Sequence, residues 1–269
     1  MKTIKNTFAL LIIQLFFCEL EAVAQTGRIR PITYIDMGES KSVKDGLRWS
    51  RMGLYKTAIP YFNKAIEENP EDYEAYLQRG IAKREIEDYK GAISDLNFFI
   101  ESNDSDERGY FHRGIAKRKL KDYTGAMSDL NFVIEESERK NKDKKGEEDI
   151  FKYDYREIGY FERGLCKFEL EDFRGANFDF VRVINLNGVK KANAYFNCGL
   201  CKKKLGDSWG ALSEMDSAIK LDLKFKEAYF QRGIIKINMG LKDMGCFDLS
   251  KAGELGYEKS YDVIKEFCK

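Results

Sequence analysis

A single histidine, His112, stands among the 269 residues. A zinc site with paired histidines therefore cannot be built, and any imidazole-based proton transfer would have to use this one ring. Cys198-Gly-Leu-Cys201 has the spacing of thiol redox motifs, whose chemistry needs a thiolate stabilised by backbone amides at a helix N-terminus. Arg79, Arg113, Arg163 and Arg232 are each followed sixteen residues later by an aspartate: Asp95, Asp129, Asp179 and Asp248. At the corresponding places lie Cys198 and Glu214, and Asp45 and Tyr61, so arginine occurs only where aspartate does. That pattern implies Arg–Asp pairs with a role in specificity more than in stability; the rival reading is two exposed charges with independent lives. No phosphate-cradling glycine loop, metalloprotease helix or nucleophile elbow is present, and the carboxylates form no obvious catalytic pair.

The elements that must position these residues are repeated. Glycines recur at Gly46, Gly80, Gly114, Gly164, Gly199 and Gly233, in steps of 34, 34, 50, 35 and 34 residues. Twelve residues after each stands a small one: Ala58, Ala92, Ala126, Ala176, Ala211 and Gly245. Tyr76, Tyr110, Tyr160, Tyr195 and Tyr229 lie four residues before their glycines, and Asp88-Tyr89, Asp122-Tyr123 and Asp172-Phe173 mark a turn between. Tyr76, Ile81, Ala82 and Ile86, and then Ala92, Ile93, Leu96, Phe99 and Ile100, fall at helical spacings, so a unit reads as two amphipathic helices. Gly80 and Ala92 let the pair approach closely. Neither helix can bury its stripe alone, so successive units must stack.

The period also weighs the chemistry. Cys198 and Cys201 fall in mid-helix, and Cys201 repeats the small slot of Ala82, Ala116 and Cys166, so core filling is the better account of both. His112 shares its slot with Gln78, Glu162, Asn197 and Gln231 and reads as a surface residue. Cys246, in the last second helix, and Cys268, at the chain's end, belong to elements that should pack together, and an oxidising compartment would join them. Cys18 precedes the repeats, leaving an odd five cysteines behind it.

These residues resemble the tetratricopeptide repeat family, whose aromatic, small, small, aromatic and apolar positions are matched by Tyr76, Gly80, Ala92, Leu96 and Phe99. The family's loop proline is matched by Pro70 alone, and Lys83, Lys117, Lys167, Lys202 and Lys236 stand where it has an aromatic. Sel1-type repeats are longer and rank second. The resemblance implies an all-α, right-handed solenoid of about six helix-turn-helix units: 39–72, 73–106, 107–140, 157–190, 192–225 and 226–259. A mixed-charge insertion at 141–156 interrupts them as a solvated loop, a helix extension or a partner-contacting element. Tyr261, Ile264 and Phe267 keep helical spacing in a capping helix that ends within 260–269.

In such solenoids one face of each first helix lines a concave wall. Carried over, that face holds Leu77, Phe111, Phe161, Phe196 and Phe230 in one stripe, and Leu47, Ile81, Ile115, Leu165, Leu200 and Ile234 in another. Arg84, Arg118, Phe168, Lys203 and Ile237 continue it. The stripes suit an apolar or amphipathic peptide, with the cations available for its carboxylates. Packing between units is the competing use for the same stripes. Chaperone-binding members clamp a C-terminal carboxylate with lysine and asparagine on these stripes; the residues here are apolar.

The first 24 residues read as an address. Lys2 and Lys5 precede an apolar run from Phe8 to Phe17, too short to span a bilayer, and Ala22-Val23-Ala24 offers small residues for cleavage before Gln25. Residues 25–38 follow as a linker. A lipid anchor on Cys18 is disfavoured by the bulky Phe16 and Phe17. Removing the leader takes Lys2, Lys5, Glu19 and Glu21, two of each sign, so the net charge stays at +1. A neutral chain generates no field to recruit nucleic acid or an anionic membrane. The expectation is an exported, non-catalytic scaffold in the periplasm or outside the cell, binding a protein or peptide, with no cofactor, metal or small-molecule substrate. Its rivals are a subunit held by its edge and a thiol redox protein using Cys198 and Cys201.

Overall fold

The computed structural model describes residues 40–143, 155–186 and 188–268, and the structural statements below concern these. The leader, the linker and most of the insertion, including Ile150, Phe151 and Tyr153, lie outside the described residues.

The described chain is helical throughout: α1 (Lys41–Arg51), α2 (Tyr55–Glu68), α3 (Tyr73–Glu85), α4 (Tyr89–Ser102), α5 (Glu107–Lys119), α6 (Tyr123–Asp143), α7 (Arg156–Glu169), α8 (Phe173–Leu186), α9 (Lys191–Lys204), α10 (Ser208–Leu221), α11 (Lys226–Asn238), α12 (Lys242–Glu254) and α13 (Lys259–Phe267). Odd and even helices pair from α1–α2 to α11–α12, and α13 follows as a cap. Each helix packs on its chain neighbours, and the first helices also touch across units, α1 with α3, α3 with α5 and α5 with α7. The first helices thus form the inner layer of the stack. Helix α6 runs 21 residues against 14 for α4, so the first part of the insertion extends a helix.

The turn inside a unit is set by two residues. After α3, Glu87 adopts φ 68°, with Glu87 N donating to Arg84 O at 3.0 Å and Asp88 N to Lys83 O at 2.9 Å, a Schellman closure. Asp88 then caps α4 through its carboxylate, which accepts from Gly91 N at 3.0 Å. Asp122, Asp172 and Asp207 repeat the cap on Gly125, Gly175 and Gly210. The left-handed residue is Lys121 in the third unit, Glu171 in the fourth and glycine at 53, 206 and 240.

Large side chains of one unit are sealed by small residues of the next. Ala75 and Ala82 complete the cluster around Phe62, Ala116 that around Leu96 and Phe99, and Cys166 that around Leu130 and Val133. Ala194, Cys198 and Cys201 complete the cluster around Phe180, and Ala228 and Ile235 that around Met215. In the sixth unit α11 and α12 come closer still. A Cβ on Gly245 would lie 2.7 Å from Gly233 O, which is why glycine replaces the usual alanine there. The cap sets Tyr257 against Phe230, ring centroids 4.7 Å apart, and a Cys246–Cys268 disulfide ties it to α12.

Candidate functional site

Four of the units are braced alike. Arg79 grips Asp95 with two parallel bonds, Nε to Oδ2 and Nη2 to Oδ1, both 2.8 Å, and Arg113–Asp129, Arg163–Asp179 and Arg232–Asp248 repeat the fork. The aspartates are buried between the paired helices, Asp179 with 0% exposure. A second cation serves each of them: Lys83, Lys117 and Lys167 reach their aspartates at 2.8 Å, and Lys236 at 2.7 Å. The lysines that depart from the family pattern are therefore part of this device. The arginine also reaches backward, where Nη1 donates to Asn63, Asn97, Asn131 or Asp216 of the preceding unit. Each guanidinium lies over its unit's tyrosine, as Arg79 does over Tyr76 at 5.3 Å. The sequence carried a signal for the backward link, since the slot before Cys198 holds Val181 rather than asparagine. In that fifth unit Lys202 pairs with Glu214 at 2.5 Å instead.

On the inner face the fourteen anticipated groove residues divide. Leu77, Phe111, Ile115 and Phe161 are buried inside the stack. Phe111 packs on Tyr155, the residue just before α7 (4.9 Å), and Phe161 on Phe180 of its own unit (5.6 Å). A ring just ahead of the following helix likewise covers one side of Phe196, by Phe225 at 5.0 Å, and of Phe230, by Tyr257 at 4.7 Å. Ile81, Leu165, Phe168, Phe196, Leu200, Phe230 and Ile234 remain half-buried, presenting part of their surface along successive first helices.

Two of the three cations of this face bridge units. Arg118 Nε donates to Glu162 Oε2 at 2.6 Å, and Lys203 Nζ to Gln231 Oε1 at 2.9 Å, each from the fourth residue after one glycine to the second before the next. Burial, reinforced by Lys204, holds the Lys203 ammonium below its ordinary value. Arg84 occupies the same slot and faces His112. It pairs with Glu85 on its own helix, while Arg84 Nε and His112 Nδ1 are both shut off from solvent without a hydrogen-bond partner. His112 is therefore no free surface residue. Desolvation, helped by the charges of Arg84 and Arg108, drives its pKa well below 6.5, so the ring is neutral at pH 7.

The thiol motif is placed where it cannot react readily. Cys198 and Cys201 are buried inside α9, and burial pushes Cys201 up to about 12 and Cys198 further, as it pushes Cys166 to about 12. Such thiols stay protonated at neutral pH and are poor nucleophiles. Among the described residues no group of histidine, cysteine and carboxylates could hold a metal ion, and no helix is long and apolar enough to cross a membrane. Apolar surface that sequence reasoning missed lies on the second helices of the C-terminal half: Phe178, Trp209 and Phe247 are 54%, 71% and 72% exposed.

Residues 50–72 match the tetratricopeptide repeat family. No curated protein matches the chain. The structure is similar to a tetratricopeptide repeat protein from Parabacteroides merdae, at 18% identity and TM-score 0.58 over 92% of this chain and 88% of that one. It also resembles PilW, a widely conserved type IV pilus biogenesis factor, at 12% identity and TM-score 0.69 over 83% and 96% of the two chains. YrrB, a repeat protein with an unusual peptide-binding site, aligns at 20% identity and TM-score 0.55 over 76% and 97%. The matched repeat near its start and the same helix pair built six times along the described chain give the protein the fold of tetratricopeptide repeat proteins.

Proposed function

We propose that the chain is an exported, non-catalytic scaffold that receives an apolar or amphipathic segment of a partner protein along the inner face of its first helices. The observation that carries this reading is the strip of half-open apolar side chains, Ile81, Leu165, Phe168, Phe196, Leu200, Phe230 and Ile234, aligned on one layer of a rigid stack. An extended or helical segment laid on such a strip buries apolar area at several points at once, which gives affinity without a deep pocket. The similarity to YrrB, which has a peptide-binding site, supports the same use of the fold. Crosslinking pull-down from the native envelope tests it. Recovery of a specific partner, weakened at least tenfold by Leu200→Glu with Ile234→Glu, is the expected result.

A second reading rests on the exposed Phe178, Trp209 and Phe247, which favour docking by the outer face as a subunit of an envelope complex. Ser94, Ser128 and Ser213 fill the slot of Phe178 and Phe247 in other units, and Lys90, Thr124 and Arg174 that of Trp209. Binding lost in Trp209→Ser with Phe247→Ser but kept in the inner-face variant selects this second reading. Export is supported by the leader-like 1–24 and by the cysteine pair closing the cap. N-terminal sequencing of the mature protein should then begin at Gln25, and retention of Met1 would overturn it.

A further inference from the structure

We propose that the outer face of the last three units is an interface with a second copy of this chain, related by a two-fold axis running along α10. The proposal rests on the outer-face reading, names its occupant, and leaves both inner faces open.

Two slots on the second helices, two residues before and two after the small residue that meets the first helix, are exposed in all six units. In the first three units they hold Lys56, Lys90 and Thr124, then Pro60, Ser94 and Ser128, with no large apolar side chain. In the last three they hold Arg174, Trp209 and Asp243, then Phe178, Ser213 and Phe247. Across the stack the first row thus runs positive, aromatic, negative, and the second runs ring, small, ring. Exchanging the fourth and sixth units about the fifth maps the second row onto itself and sets opposite charges together in the first. An isologous dimer demands this property, because under a two-fold axis a patch must complement its own image. Second helices of successive units run the same way, so rotation about an axis along α10 lays α8 of one copy on α12 of the other. Arg174 then faces Asp243 of the second copy, Phe178 faces Phe247, and Trp209 meets its own counterpart beside the small Ser213. Neither Arg174 nor Asp243 has an ion-pair partner among the described residues. Arg182 and Lys251, brought to the rim by the same rotation, are already engaged, over the Phe178 ring at 5.1 Å and with Glu254 at 3.0 Å. Beside Phe247 an open groove of about 400 Å³, lined also by Met244, Asp243 and the Arg232–Asp248 fork, gives the incoming Phe178 ring a place to enter. Three aromatic side chains of about 150–250 Å² each, left half to three-quarters open, expose roughly 400 Å² of apolar surface. Met244 and Val181, 56% and 40% exposed, add to it. A stable dimer buries about 800 Å² on each copy, somewhat over half of it apolar, so the patch is of the right size.

Sedimentation equilibrium of the purified full chain tests this. A reversible monomer–dimer equilibrium is expected, with the dimer weakened about tenfold or more by Trp209→Ser. Arg174→Asp and Asp243→Arg should each weaken it too. Combined in one chain they should restore it, since the swap rebuilds both ion pairs with inverted sign. All three positions are exposed, so the variants keep the fold, which helicity by circular dichroism checks. A chain that stays monomeric at every concentration, or a dimer indifferent to Trp209→Ser, overturns the proposal. So does a charge swap that fails to restore the dimer. Binding of a different envelope protein, lost in Trp209→Ser with Phe247→Ser while the chain itself stays monomeric, would refute the second copy and keep the outer-face reading.

Discussion

Asp179 has lost all contact with solvent yet holds the guanidinium of Arg163 and the ammonium of Lys167, while Arg163 holds Asn131 of the unit before. A buried ion pair adds little over an apolar replacement, but removing one partner leaves uncompensated charge. Asp179→Ala, which strands two cations, should therefore lower unfolding free energy by about 3–5 kcal/mol in urea titration. His112 makes a residue-scale prediction of the opposite kind. Its folded pKa lies below the ordinary 6.5, so the unfolded chain binds the extra proton first. The stability of the neutral ring is fully present above pH 6.5 and is lost as pH falls from there through the lowered folded value. Denaturation midpoints followed from pH 7.5 to pH 5 should fall, and His112→Gln, the residue of two equivalent slots, should flatten the fall.

The helix turns carry strain that the repeat has resolved in only some units. Gly53, Gly206 and Gly240 take the left-handed position at no steric cost, whereas Glu87, Lys121 and Glu171 hold it with a Cβ. Glu87→Gly, Lys121→Gly and Glu171→Gly should each raise stability by about 0.5–1 kcal/mol, read as a higher midpoint with an unchanged urea slope. The gain is smaller than the left-handed penalty because glycine also loosens the unfolded chain. A drop in midpoint would mean that these side chains make turn contacts worth more than the strain.

Stacked repeats contact only their neighbours, so stability is a sum of units and interfaces, and the ends are the weak points. The C-terminal end is protected by α13, which covers the last pair and is joined to it across 22 residues by Cys246–Cys268. Closing a loop of that size stabilises by about 3 kcal/mol in the chain-entropy account. Reduction should therefore speed amide exchange in α11 to α13 and lower the first unfolding step, with α3 to α8 little changed. Uniform loss of protection along the stack would contradict this one-dimensional picture.

The amino-acid sequence determined the helix pairs, the stacking, the cap and the Arg–Asp forks, because each follows from a spacing that repeats and so tests itself within one chain. Val181 before Cys198 and asparagine before Arg79 and Arg113 made even the backward link legible, once the unit was known to have a neighbour. Only the tertiary structure decided how the inner face is used. Spacing places Phe111 and Phe196 in one stripe, but the fold buries the first against Tyr155 and leaves the second half-open against Phe225. It also turned His112 from one polar choice among five into a half-buried imidazole whose Nδ1 is shut off without a hydrogen-bond partner. Burial and hydrogen-bond closure depend on what the next unit brings across the interface, and no single helix's periodicity contains that.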